Sequence, residues 1–172
     1  MEHRKQYDNK IILPRTERNE FPKGKTGLIL CKDCNAVYYK KSWHRNLRNY
    51  KNLNENLPIK FSLCSACKMI QNKQFEGEII IKNIPSKIFS ELEHLIITFS
   101  RRAYERDPMD RLIAIKKNKS EMAITLTENQ LAVKIAKKIK DTFKSAKWRI
   151  DMKISYSPQP SDVAYVKLEF FK

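Results

Sequence analysis

The chain has 172 residues, with 35 Lys and Arg against 19 Asp and Glu, a formal net charge of +16 and a pI near 9.8. That length suits one domain or one domain with a small appendage, and 8 Phe, 7 Tyr and 2 Trp within a 41% apolar fraction are enough for a modest core, which argues against wholesale disorder. No run approaches the roughly 18 apolar residues that cross a bilayer, and the start MEHRKQYDNK lacks a secretory apolar stretch, so a cytoplasmic protein without a membrane partner is expected, its charge calling for an anionic partner.

Residues 1–27 contain seven basic side chains (Arg4, Lys5, Lys10, Arg15, Arg18, Lys23 and Lys25) among the breakers Pro14, Pro22, Gly24 and Gly27, and read as an extended basic arm. Residues 28–74 form a second unit built on the four cysteines. They occur as two pairs, Cys31-Lys-Asp-Cys34 and Cys64-Ser-Ala-Cys67, with 29 residues between. Each C-x-x-C sets two thiolates in a tight turn, and two such knuckles complete a four-sulfur shell for one Zn2+. The alternatives are two disulfides, a redox-active pair or Fe–S ligation. Disulfides suit exported proteins, and a thioredoxin-like motif stands singly beside a βαβ pattern, so zinc is favoured. Four thiolates leave no open position for water, and His3, His44 and His94 are isolated in sequence, so the site is expected to be structural rather than catalytic.

Between the knuckles, Lys40, Lys41, Trp43, His44, Arg45, Arg48 and Lys51 interleave cations with rings, as nucleic acid requires. Burial is the usual fate of such rings, so Tyr38 and Trp43 have two open readings: covering the zinc sulfurs or stacking on bases. The Asn-rich stretch 46–56 reads as an exposed loop.

From residue 75 the periodicity becomes regular, giving an α+β domain over 75–172. Ile79, Ile80 and Ile81 suit a buried strand. Ile88, Phe89, Leu92, Leu95, Ile96, Phe99 and Ala103 recur at helical spacing until Asp107-Pro108. Residues 111–116 and 121–126 read as a hairpin around the turn 117–120. Thr127-Glu128-Asn129-Gln130 has the form of a capping box, with Leu126 and Leu131 as its staple, and starts a helix with the stripe Leu131, Ile135, Ile139 and Phe143. Lys134, Lys137 and Lys138 lie on its other side. A strand with one wet face runs from Trp148 to Tyr156, and a proline-containing turn over 157–162 leads to a closing strand over 163–171. The expected fold is therefore α+β: a zinc-ribbon or treble-clef-like module, then a β-α-β-β-α-β-β, split-βαβ (ferredoxin-like) domain with helices on one face of a mostly antiparallel sheet.

The order of parts resembles a known family. A C-x-x-C knuckle, Trp43, a second pair running into a strand as Cys64-Ser-Ala-Cys67-Lys-Met-Ile…Phe75-Glu-Gly-Glu-Ile-Ile-Ile, a helix, and Arg101-Arg102…Asp107-Pro108…Arg111-Leu-Ile resemble the Nmd-three-like large-subunit export adaptors of eukaryotes and archaea. They also resemble a family of short bacterial zinc proteins that looks like the adaptors' middle portion. The resemblance covers roughly residues 28–171. It implies that Cys31, Cys34, Cys64 and Cys67 fall on zinc positions and Trp43 on the aromatic after the knuckle. It further implies binding to the large ribosomal subunit. The sequence shows no counterpart of the adaptors' further N-terminal zinc module, downstream domain or acidic tail, so a role in assembly or dormancy on a prokaryotic-type ribosome is expected rather than nuclear export.

Charge distribution agrees with RNA as the partner. Residues 1–60 carry 14 basic against 6 acidic side chains and residues 129–172 carry 10 against 4, while residues 61–128 carry 11 against 9. Two basic ends suggest a bipartite footprint, with the knuckle loop at one and Lys134, Lys137 and Lys138 at the other. The expectation is a non-enzymatic, zinc-containing protein that binds ribosomal RNA, with no small-molecule substrate. A DNA-binding or transcription-associated zinc protein is the alternative, disfavoured by the lack of a helix-turn-helix or C-x-x-C…H-x-x-x-H pattern.

Overall fold

The computed structural model describes residues 27–51, 53, 56–144, 148–158 and 161–171, so the basic arm expected over 1–27 lies, save Gly27, outside the described residues. Two sheets and three helices follow one another in a mixed α+β chain. The first sheet has four short strands, β1 (Leu28–Cys31), β2 (Val37–Tyr39), β3 (Ser42–His44) and β4 (Ile59–Ser62), in the order β3-β2-β1-β4. β4 runs parallel to β1 and the other pairs are antiparallel. The β2–β3 connection is the two-residue turn Lys40-Lys41, with φ of 48° and 67°. Both residues sit in the left-handed region, where Asn-Gly is the usual choice.

Helix α1 (Ser65–Gln71) follows immediately. The second C-x-x-C was expected to run into a strand, but this two-turn helix intervenes. Its cause is local: the Cys64 thiol takes the N-cap position and accepts from the Cys67 backbone N–H, while Ala66, Cys67 and Met69 supply a buried face. Lys73, at φ 54°, ends it, with its N–H on the Ile70 carbonyl and that of Gln74 on the Met69 carbonyl.

The second sheet is built from β5 (Gly77–Lys82), β6 (Leu112–Asn118), β7 (Glu121–Leu126), β8 (Arg149–Tyr156) and β9 (Ala164–Phe171), with α2 (Phe89–Arg106) after β5 and α3 (Asn129–Phe143) after β7. The element order is the one expected from the sequence. Its strand order is β6-β7-β5-β9-β8, and every neighbouring pair is antiparallel except β5 with β9. The closing hairpin folds back so that β9 enters between β5 and β8. Composition explains this: Ala164, Val166, Leu168 and Phe170 are all buried, as a central strand needs, whereas β8 exposes Ile154 and Tyr156 and suits an edge.

The stripes of α2 (Leu92, Ile96) and α3 (Leu131, Ile135, Ile139) pack on Ile79, Ile81, Ile124 and Leu168 in one continuous core. Each such side chain contributes about 1.5–3 kcal/mol on burial. Contact between α3 and β5 is close enough that a Cβ on Gly77 would lie 2.6 Å from the Ala132 Cβ and 2.8 Å from the Glu128 carbonyl oxygen. The capping box does not form. Glu128 is the N-cap, without a side-chain cap bond, while the fully buried Thr127 turns its Oγ1 to the α2–β6 connection, donating to the Met109 carbonyl (2.5 Å) and accepting from Arg111 N–H (2.8 Å). No helix among the described residues is long and apolar enough to cross a membrane.

Candidate metal centre and the surfaces around it

Cys31 closes β1, Cys34 ends the turn that follows, and Cys64 and Cys67 lie at the start of α1; all four sulfurs fall within 4.8 Å of one another. Cys34 Sγ is 3.7 Å from Cys64 Sγ. Backbone N–H groups point at the sulfurs, from Cys64 to Cys31 Sγ (3.2 Å) and from Cys67 to Cys64 Sγ (3.4 Å). Cys31, Cys64 and Cys67 are buried and Cys34 is half-buried. This cluster is compatible with a metal site of the zinc type.

The thiols divide electrostatically. Burial raises the Cys31 pKa, but N–H groups of Cys34, Cys64 and Asp33 outweigh it and bring the thiol down to about 7. Burial pushes Cys64 up to about 11 against the N–H and thiol of Cys67, and burial together with the Cys64 thiol raises Cys67 further.

Strand alternation gives the small sheet two faces. Tyr38 pairs with Trp43 across β2–β3, and Trp43 packs on the cysteine cluster with Tyr38 edge-on to it at 5.3 Å between centroids. Of the two open readings for Trp43, the structure places it against the cysteine cluster. The opposite face carries the row Phe61, Leu30, Val37 and His44, one residue from each strand. His44 Nε2 bonds with the Tyr39 carbonyl (3.0 Å) and Ser42 Oγ (2.9 Å), and its ring lies 5.2 Å from that of Tyr50. Lys40 Nζ sits 5.6 and 5.5 Å from the ring centres of Tyr39 and Tyr50. Lys41, Arg48 and Lys51 are exposed.

Arg45 is engaged within the protein. Its Nη1 donates to Tyr104 Oη on α2 (2.9 Å) and to the Cys34 carbonyl (3.4 Å), and its Nε lies 3.9 Å from Glu105. Arg111 also lies over Tyr104, 4.5 Å from the ring centre. Met109, from the α2–β6 connection, packs on the cysteine cluster. The cysteine module therefore seats on the C-terminal end of α2.

Lys134, Lys137 and Lys138 are exposed on α3. Burial and the neighbouring Asp107 raise the Asp110 pKa, while Lys134 and Arg106 act on the same carboxyl to lower it. Lys134 on α3 thus lies within electrostatic reach of Asp110 in the α2–β6 connection. Tyr104, Ile59 and Phe61 lie outside every motif singled out in the sequence. Tyr104 carries no local signal, but Ile59-Lys60-Phe61-Ser62 after Pro58 is a period-two pattern that marks a strand. Ile59 and Phe61 are 55% and 65% exposed, the largest exposure of any strand apolar pair described.

Comparison with family models, curated proteins and solved structures finds no match to this chain.

Proposed function

We propose that this chain is a non-catalytic, zinc-containing cytoplasmic protein that binds ribosomal RNA and associates with the ribosome, the large subunit in particular, in assembly, quality control or hibernation. The four cysteines are the zinc ligands. A tetrahedral zinc with sulfurs at about 2.3 Å holds them roughly 3.8 Å apart, close to the 3.7 Å between Cys34 and Cys64. Four adjoining thiolates repel one another, and a divalent cation removes that repulsion and favours deprotonation. With one knuckle after β1 and the second pair in the first turn of α1, we read the module as treble-clef-like. Bound zinc would fix the loop; the chemistry of binding would rest on the surrounding cations.

The observation that carries the RNA reading is the surplus of 35 basic over 19 acidic side chains, with Lys41, Arg48 and Lys51 of the knuckle loop and Lys134, Lys137 and Lys138 of α3 all exposed. Cations exposed on two separate elements suit a folded RNA, whose phosphates approach from several directions.

The test is sedimentation of the tagged full chain through a sucrose gradient at two salt concentrations, with and without ribonuclease. Co-migration with large subunits or whole ribosomes, lost at high salt, is expected. Migration at the top of the gradient, or with DNA, would overturn the reading. For purified chain on structured RNA, replacing Lys134, Lys137 and Lys138 together by Ala should reduce the slope of log affinity against log salt by roughly 2.

A further inference from the structure

We infer that the outer face of the four-stranded sheet is a stacking platform for unpaired nucleotides, with Phe61 as its exposed ring and the Lys40–Lys41 turn as its phosphate contact. The inference rests on the RNA-binding reading and adds the kind of RNA and the residues that distinguish it. Trp43 and Cys31 use the other face of the sheet for the metal, which leaves Phe61, Leu30, Val37 and His44 in a row across all four strands. At about 4.8 Å per strand, that row is roughly 14 Å long. A four-stranded sheet bearing aromatic rings accommodates two or three bases.

Two further observations favour nucleotides over an apolar peptide. The segment 28–62 carries seven basic residues and two acidic ones, and Asp33 accepts from Gln71 Nε2 at 2.7 Å. An apolar face carried by so basic a segment is complementary to a polyanion with flat, partly apolar bases. The hairpin turn is the second. Lys40 and Lys41 both hold positive φ without being Gly, Asn or Asp, a conformation that costs the fold. The pair sets two cations together at the hairpin tip, one of them beside the Tyr39 and Tyr50 rings, where a phosphate can reach them.

The experiment measures affinity of the full, zinc-loaded chain for two probes of equal length, an unpaired oligoribonucleotide and a fully paired RNA duplex. Replacing Phe61 by Ala should weaken binding to the unpaired probe roughly 5- to 100-fold and leave the duplex almost unaffected. F61Y should retain binding and F61L should lose it, because a ring is needed rather than apolar area. The double substitution K40N/K41G installs the favoured turn sequence, so it should raise the melting temperature while weakening RNA binding. That pairing of effects cannot arise from misfolding. Wild-type affinity in F61A or F61L, with RNA still bound, would overturn the platform and leave the RNA reading intact. Failure of the unaltered chain to bind either probe would overturn both.

Discussion

Arg45 and Tyr104 join the metal module to the sheet domain: the guanidinium Nη1 donates to the phenol oxygen at 2.9 Å, and its carbon lies 4.7 Å from the ring centre. The same guanidinium reaches the Cys34 carbonyl, so one side chain connects the knuckle to α2. Its 3.9 Å approach to Glu105, which is 61% exposed, adds little, since exposed ion pairs are worth under about 1 kcal/mol. The ring contact and the hydrogen bond are what Arg45 contributes to the junction. R45A should therefore cost about 1–2 kcal/mol in urea denaturation, and R45K should restore little of it because a lysine lacks the planar fork. Full recovery in R45K would mean that charge alone matters there.

Loss of the metal should unfold one part of the chain and spare the other. The cysteine cluster is a small core of Cys31, Ala36, Cys64, Ala66 and Cys67, whereas the second sheet and α2 and α3 share a separate and larger one. In C64S the serine can still cap α1, so the expected failure is specific to the sulfur. Hydrogen exchange should show lost protection in β1–β4 with retained protection in β5, β7 and β9, and metal analysis should show one zinc per chain falling to none. Uniform loss of protection would show that the two cores fold as a unit.

Gly77 is set by backbone approach rather than by flexibility. Added to β5, a methyl group meets Ala132 and the Glu128 carbonyl at distances that require α3 to move. G77A is expected to destabilise the chain by at least about 1–3 kcal/mol, read from the shift in denaturation midpoint. A second substitution, A132G, should recover part of the loss by removing one of the two obstacles.

How much of this was legible in the sequence differs by the range of the interaction involved. The cysteine pairs and the stripes Leu92/Ile96 and Leu131/Ile135/Ile139 are local patterns, and each corresponds to a clustered or buried set in the structure. Helix α1 was hidden because it is seven residues long and is capped by a thiol rather than by Ser, Thr, Asp or Asn. The place of β9 was hidden because periodicity reports that a strand is buried on one face but not which strand it joins. Arg45 read as one cation among several, since its partner Tyr104 lies 59 residues away.

Glu76 gives the stability a pH dependence with a definite sign. Burial, with the charge of Asp162 adding to it, raises the Glu76 pKa above its ordinary value. The folded chain therefore holds this proton more tightly than the unfolded chain does. The resulting contribution is fully present below the unfolded pKa and is lost as pH rises through the folded one. E76Q should be more stable than the unaltered chain at neutral pH, with the difference shrinking as pH falls through the carboxylate range. Thermal melts of both proteins at a series of pH values between the acid limb and neutrality test this, and a difference that grows toward acid would refute the sign.

Thr127 separates a local from a long-range role most sharply. As a helix cap, it would tolerate Asp or Asn, both good caps, and would lose about 1 kcal/mol on replacement by Ala. Its Oγ1 instead bonds with the Met109 carbonyl and the Arg111 N–H in a site with no solvent exposure. T127V preserves the shape and strands both backbone groups without water, which should cost about 1–3 kcal/mol. T127S retains the hydroxyl and should lose less, the difference being one buried methyl worth about 1 kcal/mol. T127D puts a carboxylate where no cation is bonded to the side chain and one partner is itself an acceptor, so it should be the worst of the three. The ranking Ser, Val, Asp in order of falling midpoint follows from the tertiary contacts; a ranking with Asp nearest the unaltered chain would restore the helix cap. Because Met109 also rests on the cysteine cluster, T127V should further speed hydrogen exchange in the segment around Met109 that supports the metal module.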